Sequence, residues 1–199
     1  MPFYPEHIES CVTALKFAGE MTDPDAVGTS MSFECGSFVR FYLLVKAESL
    51  RIEKISYQSN GCGFAVESAE KIAEFLSGKA LGELGGLDQM FEGLKADAKR
   101  ADIPADRRQC RKISEEAVRS ALSDYRELRA AEFSGEKALI CSCFGVDEVA
   151  IEQAIAFSQS PSLESVADET RAGSGCGACR MLIQEIIDER NRSRIAGAL

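Results

Sequence analysis

The pattern of apolar and polar residues divides the chain into stretches of different period. Tyr4 to Ala18 places Ile8, Cys11, Val12 and Leu15 at helical spacing, which predicts an amphipathic helix. Gly19 to Ser30, rich in Asp, Pro, Gly and Thr, reads as a loop. From Phe38 to Ala47 the period shortens to two: Val39, Phe41, Leu43 and Val45 alternate with Arg40, Tyr42, Leu44 and Lys46, a strand with one strongly apolar face. A second strand, Leu50 to Tyr57, follows across Glu48-Ser49, a link short enough for a hairpin, and Met31 to Glu34 offers another. After Gly61-Cys62-Gly63 the period becomes helical again. Ala65, Ala69, Ile72, Ala73 and Leu76 form a stripe that stops at the C-cap signal Ser77-Gly78. Leu81 to Leu94 predicts one or two short helices, Lys95 to Arg108 a charged loop holding Pro104, and about Arg111 to Ala131 a long helix with Ile113, Ala117, Ala121 and Tyr125 on one side.

The polar stretch Glu132 to Glu136, with Gly135, marks a domain boundary. Before it, residues 1–133 read as an α+β domain, a small antiparallel sheet with packed helices. After it, residues 137–199 read as a small, mostly helical domain, with helices at Asp147–Ser158, Ser162–Asp168 and Gly177–Arg194. Asp147 is a favourable acidic start for the first of these. Gly82, Gly85 and Gly86 read as turn residues, without the lysine and spacing of a phosphate loop.

Composition narrows the function. No apolar run approaches the ~20 residues of a membrane span, and Met1 to Glu6 lacks the features of a secretion signal, so a cytoplasmic protein without a membrane partner is expected. A net charge of −9 disfavours nucleic acid as a partner, since binding it needs a basic face. Eight cysteines in a reducing compartment point to metal ligation or thiol chemistry rather than disulfides. The one histidine, His7, lies among polar neighbours on the first helix, so a His-rich metal site and a Ser/His/Asp hydrolase are both ruled out. Cys11 lies on an apolar stripe and reads as a packing residue.

Seven cysteines remain. Cys141-Ser-Cys143 is followed after 32 residues by Cys176-Gly-Ala-Cys179. Two close pairs suit a two-iron cluster, in which each iron takes two thiolates. The glycines of Gly173-Ser174-Gly175-Cys176-Gly177 let backbone approach the cluster and offer amide hydrogens, and a helix start follows. Structural zinc on the same four sulfurs and a redox dithiol at Cys176 and Cys179 are the alternatives. Cys35, Cys62 and Cys110 each sit at the edge of an element: between strands, between glycines at a helix start, and just before the long helix. Isolated buried cysteines are the bland reading of these three.

The C-terminal motifs, Cys-Ser-Cys-Phe-Gly-Val and then Gly-Ser-Gly-Cys-Gly-Ala-Cys-Arg, resemble the bacterioferritin-associated ferredoxin-like [2Fe–2S] domain over about Ala138 to Glu189. That resemblance implies Cys141, Cys143, Cys176 and Cys179 as ligands of one stable cluster. Val27-Gly28-Thr29-Ser30, Cys35-Gly36, Asn60-Gly61-Cys62-Gly63 and Ile103-Pro104 followed by Arg108-Gln109-Cys110 resemble the NifU/IscU scaffold family over about Tyr4 to Arg129. This second resemblance implies an α+β fold whose three cysteines, Cys35, Cys62 and Cys110, build a labile cluster and release it. Implied with it are a cysteine desulfurase and apo iron–sulfur acceptor proteins as partners; because persulfide must become sulfide, the chemistry adds an electron donor, with the second cluster as a candidate source, and a homodimer is allowed. The resemblance implies a carrier, not an enzyme; thiol chemistry puts the arriving persulfide on a low-pKa thiolate, with Cys110 or Cys62 as candidates. Two positions depart from the family: Ser37 stands where Asp is usual and Gln109 where His is usual, while Arg107 keeps a basic residue. The chaperone-recognised segment of some relatives is only partly present, as Pro104 followed by Ala105-Asp106. These departures set up an alternative, an electron-transfer or redox-sensing protein whose N-terminal domain is only a docking platform.

Overall fold

The computed structural model describes residues 4–95, 104, 107–135 and 137–196. The fold is α+β. Its elements run α1 (Glu6–Thr13), β1 (Ala26–Met31), β2 (Phe38–Lys46), β3 (Arg51–Ser59), α2 (Gly63–Leu76), a 3-10 turn (Leu81–Glu83), α3 (Leu87–Lys95), α4 (Arg108–Glu132), β4 (Leu139–Cys141), β5 (Val146–Asp147), α5 (Glu148–Phe157), α6 (Leu163–Thr170) and α7 (Arg180–Ala196). Two compact units emerge. The first takes Met1–Ala80 and Met90–Tyr125, the second Leu81–Gln89 and Arg126–Leu199. Among the described residues no helix is long and apolar enough to cross a membrane.

In the first unit β1, β2 and β3 form an antiparallel sheet in that order. The apolar face read in β2 is buried, with Val39, Phe41, Leu43 and Val45 covered and Ile52, Ile55 and Tyr57 of β3 joining them, though Tyr42 on the other face is buried as well. The apolar stripe of α2, Ala65, Ala69, Ile72, Ala73 and Leu76, is fully covered, as are Ile113, Ala117 and Ala121 of α4.

Three expectations change. The stretch read as a loop, Gly19 to Ser30, contains β1, and Met31 to Glu34 is not a separate strand. Gly28 explains the misreading. A Cβ there would stand 2.6 Å from Ala121 Cα and closer still to Ala121 N and Ala117 O, so the glycine serves close packing of α4 on β1, not a turn. The first helix ends at Thr13 rather than Ala18. Beyond it the buried Glu70 carboxylate accepts the Lys16 amide at 2.6 Å, and Tyr57 N donates to Phe17 O at 2.9 Å, so β3 and α2 capture backbone that would otherwise continue the helix. Finally, α4 begins at Arg108, which puts Cys110 inside its first turn instead of before it. The loop expected over Lys95 to Arg108 lies mostly outside the described residues.

In the second unit α5, α6 and α7 enclose a core of Val146, Ile151, Ala154, Ile155, Val166, Ile183 and Ile187, with Cys141 and Cys143 among them. Asp147 caps α5 through Ala150 N at 2.9 Å, and Ser162 and Ser165 form a reciprocal capping box on α6. The β4–β5 hairpin is too short to show as an alternating run in the sequence.

Candidate functional sites

Three elements of the first unit carry the N-terminal cysteines. Cys35 sits on the β1–β2 turn, which is closed by Ser32 N to Ser37 O at 2.8 Å and Gly36 N to Ser32 O at 2.9 Å. Gly36 takes φ +69, a backbone suited to glycine. Cys62 is the N-cap residue of α2. Its neighbours hold it there. Asn60 Oδ1 accepts the Phe38 amide at 2.7 Å and so ties the Cys35 turn to the end of β3. A Cβ on Gly61 would meet Ala65 Cβ at 2.7 Å, and one on Gly63 would meet Ile8 at 2.9 Å. Gly63 N donates to Tyr4 Oη at 3.0 Å. The glycines flanking Cys62 therefore let α2 start in a crowded place.

Cys62 Sγ and Cys110 Sγ stand 3.5 Å apart. Burial, and then the Cys62 thiol beside it, push the Cys110 thiol up to about 12, opposed by the charge of Arg107. Cys35 is exposed. Hydrogen bonds from Ser32 and then Ser37, whose Oγ lies 3.0 Å from Cys35 Sγ, bring its thiol down to about 7. Gln109 Nε2 donates to Ser32 Oγ at 3.0 Å, so both residues that depart from the family pattern belong to one polar network around Cys35. Ser32 had no signal in the sequence. Phe33, two residues from Cys35, is 96% exposed.

In the second unit the four C-terminal cysteines come together from β4, the hairpin turn and the loop before α7. Cys143 Sγ and Cys176 Sγ are 3.5 Å apart. Two thiolates on one tetrahedral metal with bonds of ~2.3 Å would be about 3.8 Å apart, so the spacing is compatible with joint ligation of a metal. The neighbouring Cys143 and Cys179 sulfurs bring the Cys141 thiol down to about 3 despite burial. Cys176, accepting from Cys143, falls to about 6. Cys143 and Cys179 are correspondingly pushed up, each first by its bond to Cys141. Backbone amides already reach the sulfurs: Gly173 and Phe144 at Cys141, Ala178 at Cys176. Among the described residues no three His, Cys, Asp or Glu side chains close on a single point as a one-ion cage would. An all-sulfur donor set, close pairing and converging amides fit a [2Fe–2S] cluster held by Cys141, Cys143, Cys176 and Cys179. Such a cluster supplies one-electron chemistry.

An α+β sheet-and-helix unit with three cysteines at one end, followed by a four-cysteine helical unit, defines a class of iron–sulfur proteins. Comparison with known proteins agrees. Residues 4–132 match the NifU-like N terminal domain and residues 139–189 the BFD-like [2Fe-2S] binding domain. The chain belongs to the NifU-like N-terminal domain family. It is 30% identical over 178 residues to the nitrogen fixation protein NifU of Trichormus azollae, covering 86% of this chain and 56% of that protein. It is 30% identical over 109 residues to the iron-sulfur cluster assembly scaffold protein IscU 1 of Archaeoglobus fulgidus, covering 54% of this chain and 66% of that one. The chain thus spans little more than half the length of the NifU relative. The crystal structure of a NifU-like N-terminal protein from Brucella abortus shares the fold, with a TM-score of 0.50 and 22% identity over 62% of this chain and 94% of that one.

Proposed function

We propose that this chain is an iron–sulfur cluster assembly scaffold with a resident [2Fe–2S] cluster in its second unit. The observation that carries the reading is the meeting of Cys62, a helix cap, and Cys110, in a helix first turn, with sulfurs 3.5 Å apart, while the Cys35 turn is tied to the end of the strand that precedes Cys62. Cysteines kept only for packing have no reason to pair from two separate elements. The cluster on the first unit is cargo, built and then passed to an apo acceptor protein. The protein is a carrier, not a turnover enzyme.

Sulfur is supplied as a persulfide by a cysteine desulfurase. Cys35, the exposed cysteine of the three, receives it, rather than the buried Cys110. The Cys35 thiolate attacks the outer sulfur of the donor persulfide; the donor S–S bond breaks, a new one forms at Cys35, and the donor departs as thiolate. An electron donor supplies the two electrons that convert each such sulfur to sulfide. The exposed Phe33 beside Cys35 gives an incoming protein an apolar contact.

The test is iron, acid-labile sulfide and zinc per chain on anaerobically purified and reconstituted protein, with a visible spectrum. About two irons and two sulfides lost in Cys176→Ala establish the resident cluster. Further iron that survives in Cys176→Ala, disappears in Cys62→Ala, and moves to an apo acceptor supports the scaffold. Zinc without sulfide would overturn both assignments. A first unit that never loads would leave it a docking platform for an electron-transfer protein.

A further inference from the structure

The glycines at Gly82, Gly85 and Gly86, turn residues in the sequence, belong to Leu81–Gln89, the stretch of the second unit that lies far from the rest of it in sequence. Leu81–Gln89 runs along the loop that carries Cys176. Gly85 N donates to Ser174 O at 2.9 Å and Gly86 N to Gly175 O at 3.1 Å. Arg180 Nη1 donates to Gly85 O at 2.9 Å, and Arg180 N to Gly177 O at 3.1 Å. Gly85, Gly86 and Gly177 take φ of +64, +92 and +80. A Cβ on Gly177 would lie 3.1 Å from Gly86 Cα, so two backbones meet where side chains do not fit.

The consequence for the cysteine loop follows from peptide geometry. In a trans peptide the carbonyl and the next N–H point to opposite sides. Fixing the carbonyls of Ser174 and Gly175 on this stretch turns the N–H groups of Gly175 and Cys176 away from it. The same loop abuts the other half of the cradle: a Cβ on Gly175 would be 3.1 Å from the Phe144 ring and 3.6 Å from Cys143 Cβ.

We propose that Leu81–Gln89 is a strap that completes the cluster cradle, and that Gly85, Gly86 and Arg180 are positioning residues that aim the Gly175 and Cys176 amides at bound sulfur. The proposal rests on reading the four C-terminal cysteines as a cluster site. It makes the cluster module discontinuous in sequence. Amide hydrogen bonds to cluster sulfurs stabilise the added electron and raise the reduction potential. Loosening the strap lowers the potential and opens the loop to chelators.

The experiment uses the full-length chain in a Cys62→Ala background, so that only the C-terminal cluster is read. Gly86→Val, Arg180→Met, Arg180→Lys and Gly93→Ala are reconstituted and compared. A Cβ on Gly93 meets nothing, which makes that variant the control. Iron and sulfide per chain, the midpoint potential and the rate of iron loss to a chelator are measured. The expected result is full loading in all, a more negative potential in Gly86→Val and Arg180→Met, and iron loss about tenfold faster, the scale of supporting-residue effects at metal sites. Arg180→Lys, which keeps a donor, recovers most of the wild-type behaviour. Gly86→Val alters no charge, so its shift is not a charge effect. Should Gly86→Val fail to load, the two Arg180 variants decide. Potentials equal to wild type and loss rates within twofold in the loaded variants would overturn the strap while leaving the cluster reading intact. A parent protein with no iron and sulfide would overturn both.

Discussion

Gly28→Ala is the sharpest test of how the first unit is built. The new Cβ would lie 2.6 Å from Ala121 Cα, where ordinary contact begins near 3.4 Å, and the Ala121 N and Ala117 O atoms are nearer still. All three obstacles are backbone of α4, so no side chain can rotate away. The helix must retreat from β1 by at least about 0.8 Å, the difference between those two distances. That retreat stretches the hydrogen bonds from Val27 N to Asp124 Oδ2 at 2.7 Å and from Ser30 Oγ to Glu116 Oε2 at 2.9 Å. Overpacking costs ~1–3 kcal/mol where side chains can adjust, and a rigid obstacle places this change at the upper end, about 3 kcal/mol. With a urea slope of ~2 kcal/mol per molar, the unfolding midpoint of the first unit falls by roughly 1.5 M. The same shift reaches the site, because Cys110 lies in the first turn of α4. Capture of the Cys62–Cys110 pair by a trivalent arsenical, which needs two adjacent thiols, slows in parallel. A midpoint within ~0.3 M of wild type, with unchanged arsenical capture, would refute the packing argument.

Two further predictions concern Cys35. In the metal-free protein its alkylation by iodoacetamide should rise with pH through about 7, because the thiolate is the nucleophile and predominates above the lowered value. Cys110, pushed up to about 12, should react only in strong base. Ser37→Ala removes one of the hydrogen bonds that lower Cys35 and should move its inflection to higher pH; peptide-resolved mass spectrometry reads both sites, and an inflection unmoved by Ser37→Ala would show that this hydroxyl has no part. Ser37→Asp places a carboxylate beside Cys35, which raises the thiol's pKa and slows alkylation but offers iron a fourth ligand. Transfer of a reconstituted cluster from this variant to an apo acceptor should be several-fold slower, and an unchanged rate would count against a fourth-ligand role.

Much of this architecture was legible because it rests on periodicity. The alternation of Val39, Phe41, Leu43 and Val45 and the stripe from Ala65 to Leu76 each need only one buried face, and a buried face writes itself into the sequence. What failed was where tertiary contacts override local preference. Gly28 looks like a turn residue, yet it sits mid-strand because α4 presses on it. Lys16 and Phe17 carry on a helical pattern, but their amides are taken by Glu70, whose own burial the sequence gives no reason to expect. The cysteines were legible as motifs, through spacing and flanking glycines. Their partners were not: Ser32, the Gln109 contact to it, and the Gly85–Gly86 strap depend on residues far apart in the chain.

That distinction bears on the two family departures. Read by residue type, Ser37 and Gln109 are losses, since a hydroxyl and an amide are weak ligands for a soft site. Read in place, they share one network: Gln109 donates to Ser32, and Ser32 and Ser37 both hydrogen-bond Cys35. A carboxylate at position 37 would compete with Cys35 for negative charge, whereas a hydroxyl stabilises it by donating. A neutral side chain at 109 keeps the amide donor without a proton that comes and goes near neutral pH, as a histidine's would. On the proposed scaffold reading, the substitutions favour presenting one exposed, hydrogen-bonded thiol to a sulfur donor over offering iron a fourth protein ligand. On that reading Cys35 would face the donor, while Cys62 and Cys110, 3.5 Å apart, would take iron as a pair.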